Sequence, residues 1–158
     1  SGITMDPDSN SPIIILKTED TEQIIPIWIG LLEATAIAST LKGMSFDRPM
    51  THDLIKNVIE TLGGTIVKIE VSDIVNDTYY ARIHIATELE QVEMDARPSD
   101  AVALALRFEA PIYVDDRVIL KSGRKIETVE AADESEEGRK WKEYLEKLNP
   151  DQFGKYKM

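Results

Sequence analysis

Between Val67 and Ile85 apolar and polar side chains take turns along the chain. Val67, Ile69 and Val71 interleave with Lys68, Glu70 and Ser72, and beyond Asn76-Asp77 the residues Ala81, Ile83 and Ile85 interleave with Tyr80, Arg82 and His84. A period of two marks a strand with one buried face, and Asn-Asp suits a tight turn. The segment predicts two half-buried antiparallel strands joined as a hairpin, with His84 beside Arg82 on the solvated face. No long parallel α/β winding is compatible with such a centre.

The flanking segments alternate between strand and helix signals. Ser11–Lys17 is a β-branched run, Thr18–Glu22 reads as a turn, and Ile24–Ile29 is a second strand whose Pro26 favours an edge or a bulge. After Gly30, the Ala-rich stretch Leu31–Lys42 predicts a helix closed by Gly43. Thr51 is the expected N-cap of a second helix, in which Leu54, Ile55, Val58, Ile59 and Leu62 follow helical spacing before Gly63-Gly64. Gln91–Asp95 predicts a short strand. Ser99–Glu109 predicts a helix capped by Ser99, apolar almost all round and therefore in the core. Ile112–Val114 reads as a short buried strand and Val118–Val129 as a further hairpin turning near Lys121–Gly123. Glu134–Leu148 predicts a charged helix with Trp141, Tyr144, Leu145 and Leu148 on one stripe, docked on the body. The class is thus α+β: one compact domain with a mixed or antiparallel sheet over residues 1–130, and a helical tail over 131–158.

The chain of 158 residues is long enough for a single core without staples. It has no cysteine, which removes disulfides, Cys-ligated zinc, iron–sulfur clusters and a thiol nucleophile, and fits a reducing cytosol. The longest apolar runs, Pro12–Leu16 and Ala101–Leu106, fall far short of a membrane span, and no signal-like segment opens the sequence. A cytoplasmic protein without membrane attachment is expected. The formal net charge of −11 repels polyanions at long range, so any role on nucleic acid must rest on a local basic patch or on cations held by carboxylates.

Two echoes organise the polar residues. Glu33-Ala-Thr-Ala-Ile-Ala38 matches Asp100-Ala-Val-Ala-Leu-Ala105 in chemical type, and each opens a helix after a strand. This suggests a strand–helix pseudo-repeat in which Glu33 and Asp100 are equivalent, although buried Ala-rich helices also resemble one another by composition alone. Arg48-Pro49 precedes Thr51-His52-Asp53, and Arg97-Pro98 precedes Ser99-Asp100. Proline, a hydroxyl cap and a first-turn acid are ordinary helix-start chemistry. The sharper account is that free N–H groups at the helix starts, with Arg48 and Arg97, grip phosphate. In that account Asp53, Asp95 and Asp100 hold a divalent cation, His52 moves a proton, and Glu33 serves as base or ligand.

Several stretches resemble the bifunctional nuclease (BFN) domain family: Ile25-Pro-Ile-Trp-Ile-Gly30, Glu33-Ala34, Arg48-Pro-Met-Thr-His-Asp-Leu54, Asp95-Ala-Arg-Pro-Ser-Asp-Ala101, Ala110-Pro-Ile-Tyr-Val114 and Leu148-Asn-Pro-Asp-Gln-Phe-Gly-Lys155. The resemblance implies a compact α+β domain known from bacteria and plants, and a nuclease acting on RNA and DNA with little sequence preference. Carried over position by position, it points to Glu33, His52, Asp53 and Asp100 as catalytic. Arg48, Thr51, Arg97 and Ser99 are the expected substrate contacts, and Asp53, Asp95 and Asp100 the expected ligands for Mg²⁺ or Mn²⁺. The alternative is a non-enzymatic homo-oligomeric module with Arg48 and Arg97 as an anion clamp, its interface the tail helix or the Pro26 strand. A homo-oligomer is expected on either account.

Overall fold

The computed structural model describes residues 2–6, 9–19, 23–122 and 124–125. From the N-terminus run β1 (Gly2–Met5), β2 (Pro12–Lys17), β3 (Gln23–Trp28), α1 (Leu31–Leu41), α2 (Thr51–Thr61), β4 (Thr65–Val75), β5 (Thr78–Ala86), β6 (Gln91–Ala96), α3 (Pro98–Phe108), β7 (Ile112–Val114), α4 (Asp116–Ser122) and β8 (Arg124–Lys125). The strands make two four-stranded sheets. One is antiparallel, in the order β1-β2-β3-β8; the other is mixed, in the order β6-β5-β4-β7, with β7 parallel to β4. This is the α+β class expected. One hydrophobic cluster joins the inner faces of both sheets to α1, α3 and α4, with Ile25, Ile37, Ile69, Val71 and Val118 fully enclosed.

The central hairpin is β4–β5. Its turn residues Asn76 and Asp77 both have positive φ, 49° and 59°, the left-handed pair that matches the twist of a two-residue hairpin turn. Ile69 faces Ile83 and Val71 faces Ala81 across the ladder, all four buried. The alternation slips twice: a register shift between Ile66 and Lys68 leaves Ile66 buried and Val67 exposed, the reverse of a strict period two, and a second shift between Val71 and Asp73 leaves Val71 and Ser72 both buried. Nor is His84 solvated. Its ring is largely buried on the sheet face away from the helices, with Nε2 3.3 Å from Glu70 Oε2 and Nδ1 3.6 Å from Glu93 Oε1. Carboxylates from the two flanking strands close over it.

Pro26 pairs with Ile15 on one side, while β8 reaches only Gln23 and Ile24 on the other. Among the described residues, its missing N–H therefore interrupts no second ladder, as the edge expectation requires. The hairpin expected from Val118 is corrected: Asp115 Oδ1 accepts the Arg117 N–H at 2.9 Å and starts α4 instead, which swings Val118 into the core. β7 is also less enclosed than expected, with Tyr113 exposed. Both helix starts shift by a residue or two. Met50 and Arg97 are the N-caps, making Thr51 the first residue of α2, and Ser99 the second of α3 behind Pro98. Residues 126–129 of the expected hairpin and the expected tail helix over 134–148 lie outside the described residues.

Candidate functional site: a cleft at converging helix starts

Glu33, Asp53 and Asp100 each occupy the third position of their helices, where a carboxylate meets the positive end of the helix dipole. α1 and α3 can lie close together because their shared faces are small. Ala34 and Ala38 on one, and Ala101 and Ala105 on the other, are buried with Ile37 and Leu104 between them. The sequence echo is therefore a spatial one.

Arg97 ties the two starts. Its Nη1 lies 2.9 Å from Glu33 Oε1, its Nε 2.8 Å from Asp100 Oδ2 and its Nη2 3.3 Å from Asp100 Oδ1. His52 Nε2 sits 3.1 Å from the same Asp100 Oδ1. Glu33, Arg97, Asp100 and His52 thus form one chain of charge-assisted contacts across three helix N-termini. Burial pushes the Asp100 carboxyl up, but hydrogen bonds from Arg97 and His52 outweigh it and leave its pKa below the ordinary value. The same partners, Asp100 first and Glu33 after it, raise the pKa of Arg97. Arg97 leaves 66% of its side chain exposed; the His52 side chain leaves only 11%.

The exposed end of this chain forms the wall of a cleft of about 400 Å³. Its lining brings Glu33, Arg97, Pro98 and Ser99 together with Trp28, Asp77 and Tyr79. Trp28, Asp77 and Tyr79 also border a neighbouring cleft of about 480 Å³ that ends at Lys121. Trp28 is exposed, and its Nε1 donates to Asp6 Oδ2 at 2.9 Å, which fixes the ring at the junction. Arg97 lines the first cleft and Lys121 the second, with Trp28, Asp77 and Tyr79 common to both. Lys121 is shared with Asp73 at 2.8 Å, and that bond lowers the pKa of Asp73.

Asp53 is engaged elsewhere. Its Oδ1 accepts Arg107 Nε at 2.6 Å, and its Oδ2 accepts the Met50 N–H at 3.0 Å. Arg107, with 6% of its side chain exposed, also donates through Nη1 to the carbonyls of Ala36 and Ala103 at 3.2 and 2.9 Å. Those two alanines are equivalent positions of the echo, so Arg107 clamps both halves to α2. Asp95 pairs in register with Arg82 on the sheet face away from α3. Arg48 and Thr51 are exposed and line neither cleft, while Ser99 is buried against the first. Of the expected site residues, then, Glu33, His52, Arg97, Ser99 and Asp100 come together, and Arg48, Thr51, Asp53 and Asp95 stand apart.

The expected cation set does not fit this arrangement. Among the described residues no three His, Asp or Glu side chains gather where they can hold an ion. Trp28, Tyr79, Asp77 and Arg107 were not singled out by sequence. Opposite strand parity to Ile27 signals an outward Trp28, and a lone arginine ending an apolar helix signals Arg107.

The chain is thus a single α+β domain whose helix starts converge on a cleft lined by Arg97 and Trp28. The model for the bifunctional nuclease domain matches residues 14–127, and the chain belongs to that family. It is 36% identical over 157 residues to an uncharacterized protein of Mycobacterium tuberculosis (strain H37Rv), covering 96% of this chain and 94% of that one. It is also 29% identical over 117 residues to bifunctional nuclease 1 of Oryza sativa subsp. japonica, and 26% identical over 119 residues to bifunctional nuclease 1 of Arabidopsis thaliana. Those matches cover 72% and 73% of this chain, and 35% and 37% of the plant proteins. No helix among the described residues is long and apolar enough to cross a membrane.

Proposed function

We propose that the chain hydrolyses phosphodiester bonds of RNA and DNA in the cleft between Glu33–Arg97 and Trp28–Tyr79. The observation that carries this reading is Arg97, anchored through Nε on Asp100 yet exposed at the cleft wall through Nη1. A phosphate entering the cleft exchanges for Glu33 on Nη1 and keeps the planar guanidinium oriented by Asp100. The exchange releases the Glu33 carboxylate beside the phosphate, where it takes the proton of an attacking water. The P–O bond to the leaving oxygen breaks, and that oxygen is protonated from solvent. Arg97 and the α3 N-terminus stabilise the added negative charge. His52 acts through Asp100 as a positioning residue. Trp28 and Tyr79 receive bases by stacking, which accepts any sequence.

The steps named here are those of the chain's own residues, because among the described residues the expected carboxylates do not gather into a ligand set. The test is cleavage of labelled RNA and single-stranded DNA with Mg²⁺, with Mn²⁺ and with EDTA. Arg97→Ala and Trp28→Ala are compared with the parent after far-UV circular dichroism confirms folding. The proposal expects Arg97→Ala to lose at least about a hundredfold in rate. Trp28→Ala raises KM about tenfold, the effect of one lost stacking contact. Undiminished cleavage by Arg97→Ala places the chemistry elsewhere, and cleavage abolished by EDTA contradicts a route carried by these residues alone.

A further inference from the structure

The polarity of α2 is inverted with respect to the fold. Its inward side carries His52, Asp53, Lys56 and Ile59, with Lys56 Nζ donating to the Arg107 carbonyl at 2.9 Å. Its outward side carries Leu54, Ile55, Val58 and Leu62, flanked by Thr51 and Thr61, with no charge between them. Leu54, Val58 and Leu62 leave 54, 49 and 77% of their surface exposed. A surface helix that turns its polar side toward the fold and offers its apolar side to water is missing a cover.

The apolar surface continues beyond the helix. Any side chain at Gly64 would meet Ile59 of α2 and Ile85 of β5, so the end of α2 lies against that strand, and Ile85 faces Val92 of β6. Val92 and Met94 sit on the same sheet face and are exposed, as is Leu89 in the preceding turn. With the helix stripe they present on the order of 700 Å² of accessible apolar surface, against the ~800 Å² each partner contributes to a standard stable interface.

We infer that this face is the two-fold interface of a homodimer, with α2 packed antiparallel on α2 of a second copy and Val58 at the axis. Charge selects the occupant. Two chains of net charge −11 repel over most of their surfaces, and a charge-free stripe is where one copy can meet itself without opposing like charges. The exposed edge of β6 is not the contact: a two-fold strand pairing that keeps Val92 and Met94 together opposes Glu93 to its own copy. Helix-face packing avoids that repulsion.

The absence of cysteine makes the test direct. Sedimentation equilibrium of the full chain should give twice the chain mass of 17.8 kDa, and Val58→Glu should return it to one. Val58→Cys under mild oxidation should form a disulfide-linked dimer, since the axis brings the residue against its own copy. Leu120→Cys, exposed on α4, should not. Three results would overturn the inference: a monomeric parent, a dimer that survives Val58→Glu, or crosslinking as efficient at Leu120 as at Val58. If the parent is monomeric and Val58→Glu lowers its thermal midpoint, the stripe is covered by the chain's own residues instead.

Discussion

Arg107 carries more of the architecture than any residue that faces solvent. A guanidinium this enclosed holds its place by spending its donors on Asp53 and on two helix carbonyls at once. Replacing it with alanine strands those acceptors, and the expected loss is about 3 kcal/mol, measured as a drop in urea midpoint with unchanged m-value. Asp53→Ala should cost at least as much, because it leaves the enclosed Arg107 guanidinium without its counter-charge, whereas the Asp53 carboxylate left by Arg107→Ala is a third exposed and can be rehydrated. Asp100 makes a prediction in pH. Its folded-state pKa is depressed, so the stability it contributes is fully present above the ordinary carboxylate value of 3.8 and is lost as pH falls below it. The parent should therefore be more stable than Asp100→Asn at pH 7, and the gap between their urea midpoints should close between pH 4 and pH 2. A constant gap would mean that Arg97 and His52 do not hold the ionised form.

The elements show which levels of the sequence speak clearly. The hairpin, both Ala-rich helices and the strand carrying Pro26 follow from local patterns, because period and turn chemistry act between neighbours in the chain. Helix caps were less legible: Thr51 and Ser99 are good caps by type, yet Pro98 takes the first helical position and moves the cap to Arg97. The hairpin expected over Val118–Val129 gives way to α4 because Asp115 holds the first turn, its side chain accepting the Arg117 N–H and its carbonyl the Val118 N–H. α2 was read correctly as a helix, but helical spacing is silent on whether its apolar side turns in or out. The hairpin turn gives a prediction at this scale. Asp77 holds a φ of 59°, a conformation that costs an L-residue about 1 kcal/mol. Asp77→Gly should raise the urea midpoint by the equivalent of roughly 0.5–1 kcal/mol, and it removes a carboxylate from both clefts. A fall in stability would mean that Asp77 makes compensating contacts across the cleft.

At the scale of the whole molecule, the cleft draws on residues 11, 27–30, 33, 77–79 and 97–99, segments that no local pattern links. The sequence echo came nearest, since it paired Glu33 with Asp100, but neither Trp28 opposite them nor the diversion of Asp53 to Arg107 is visible without the packing of α1 on α3. On the proposed function, the acidic net charge and the exposed Arg97 guanidinium mean that phosphate is met locally, at that residue, against the molecule's own long-range field. The central claim is that Glu33 is the base released when Arg97 takes the phosphate. The most direct measurement is the single-turnover rate of RNA cleavage at pH 7 for the parent and for Glu33→Gln, with both proteins matched for thermal midpoint. The account predicts that Glu33→Gln falls by about a hundredfold or more, the loss of a general base. Equal rates in the two proteins would contradict the account.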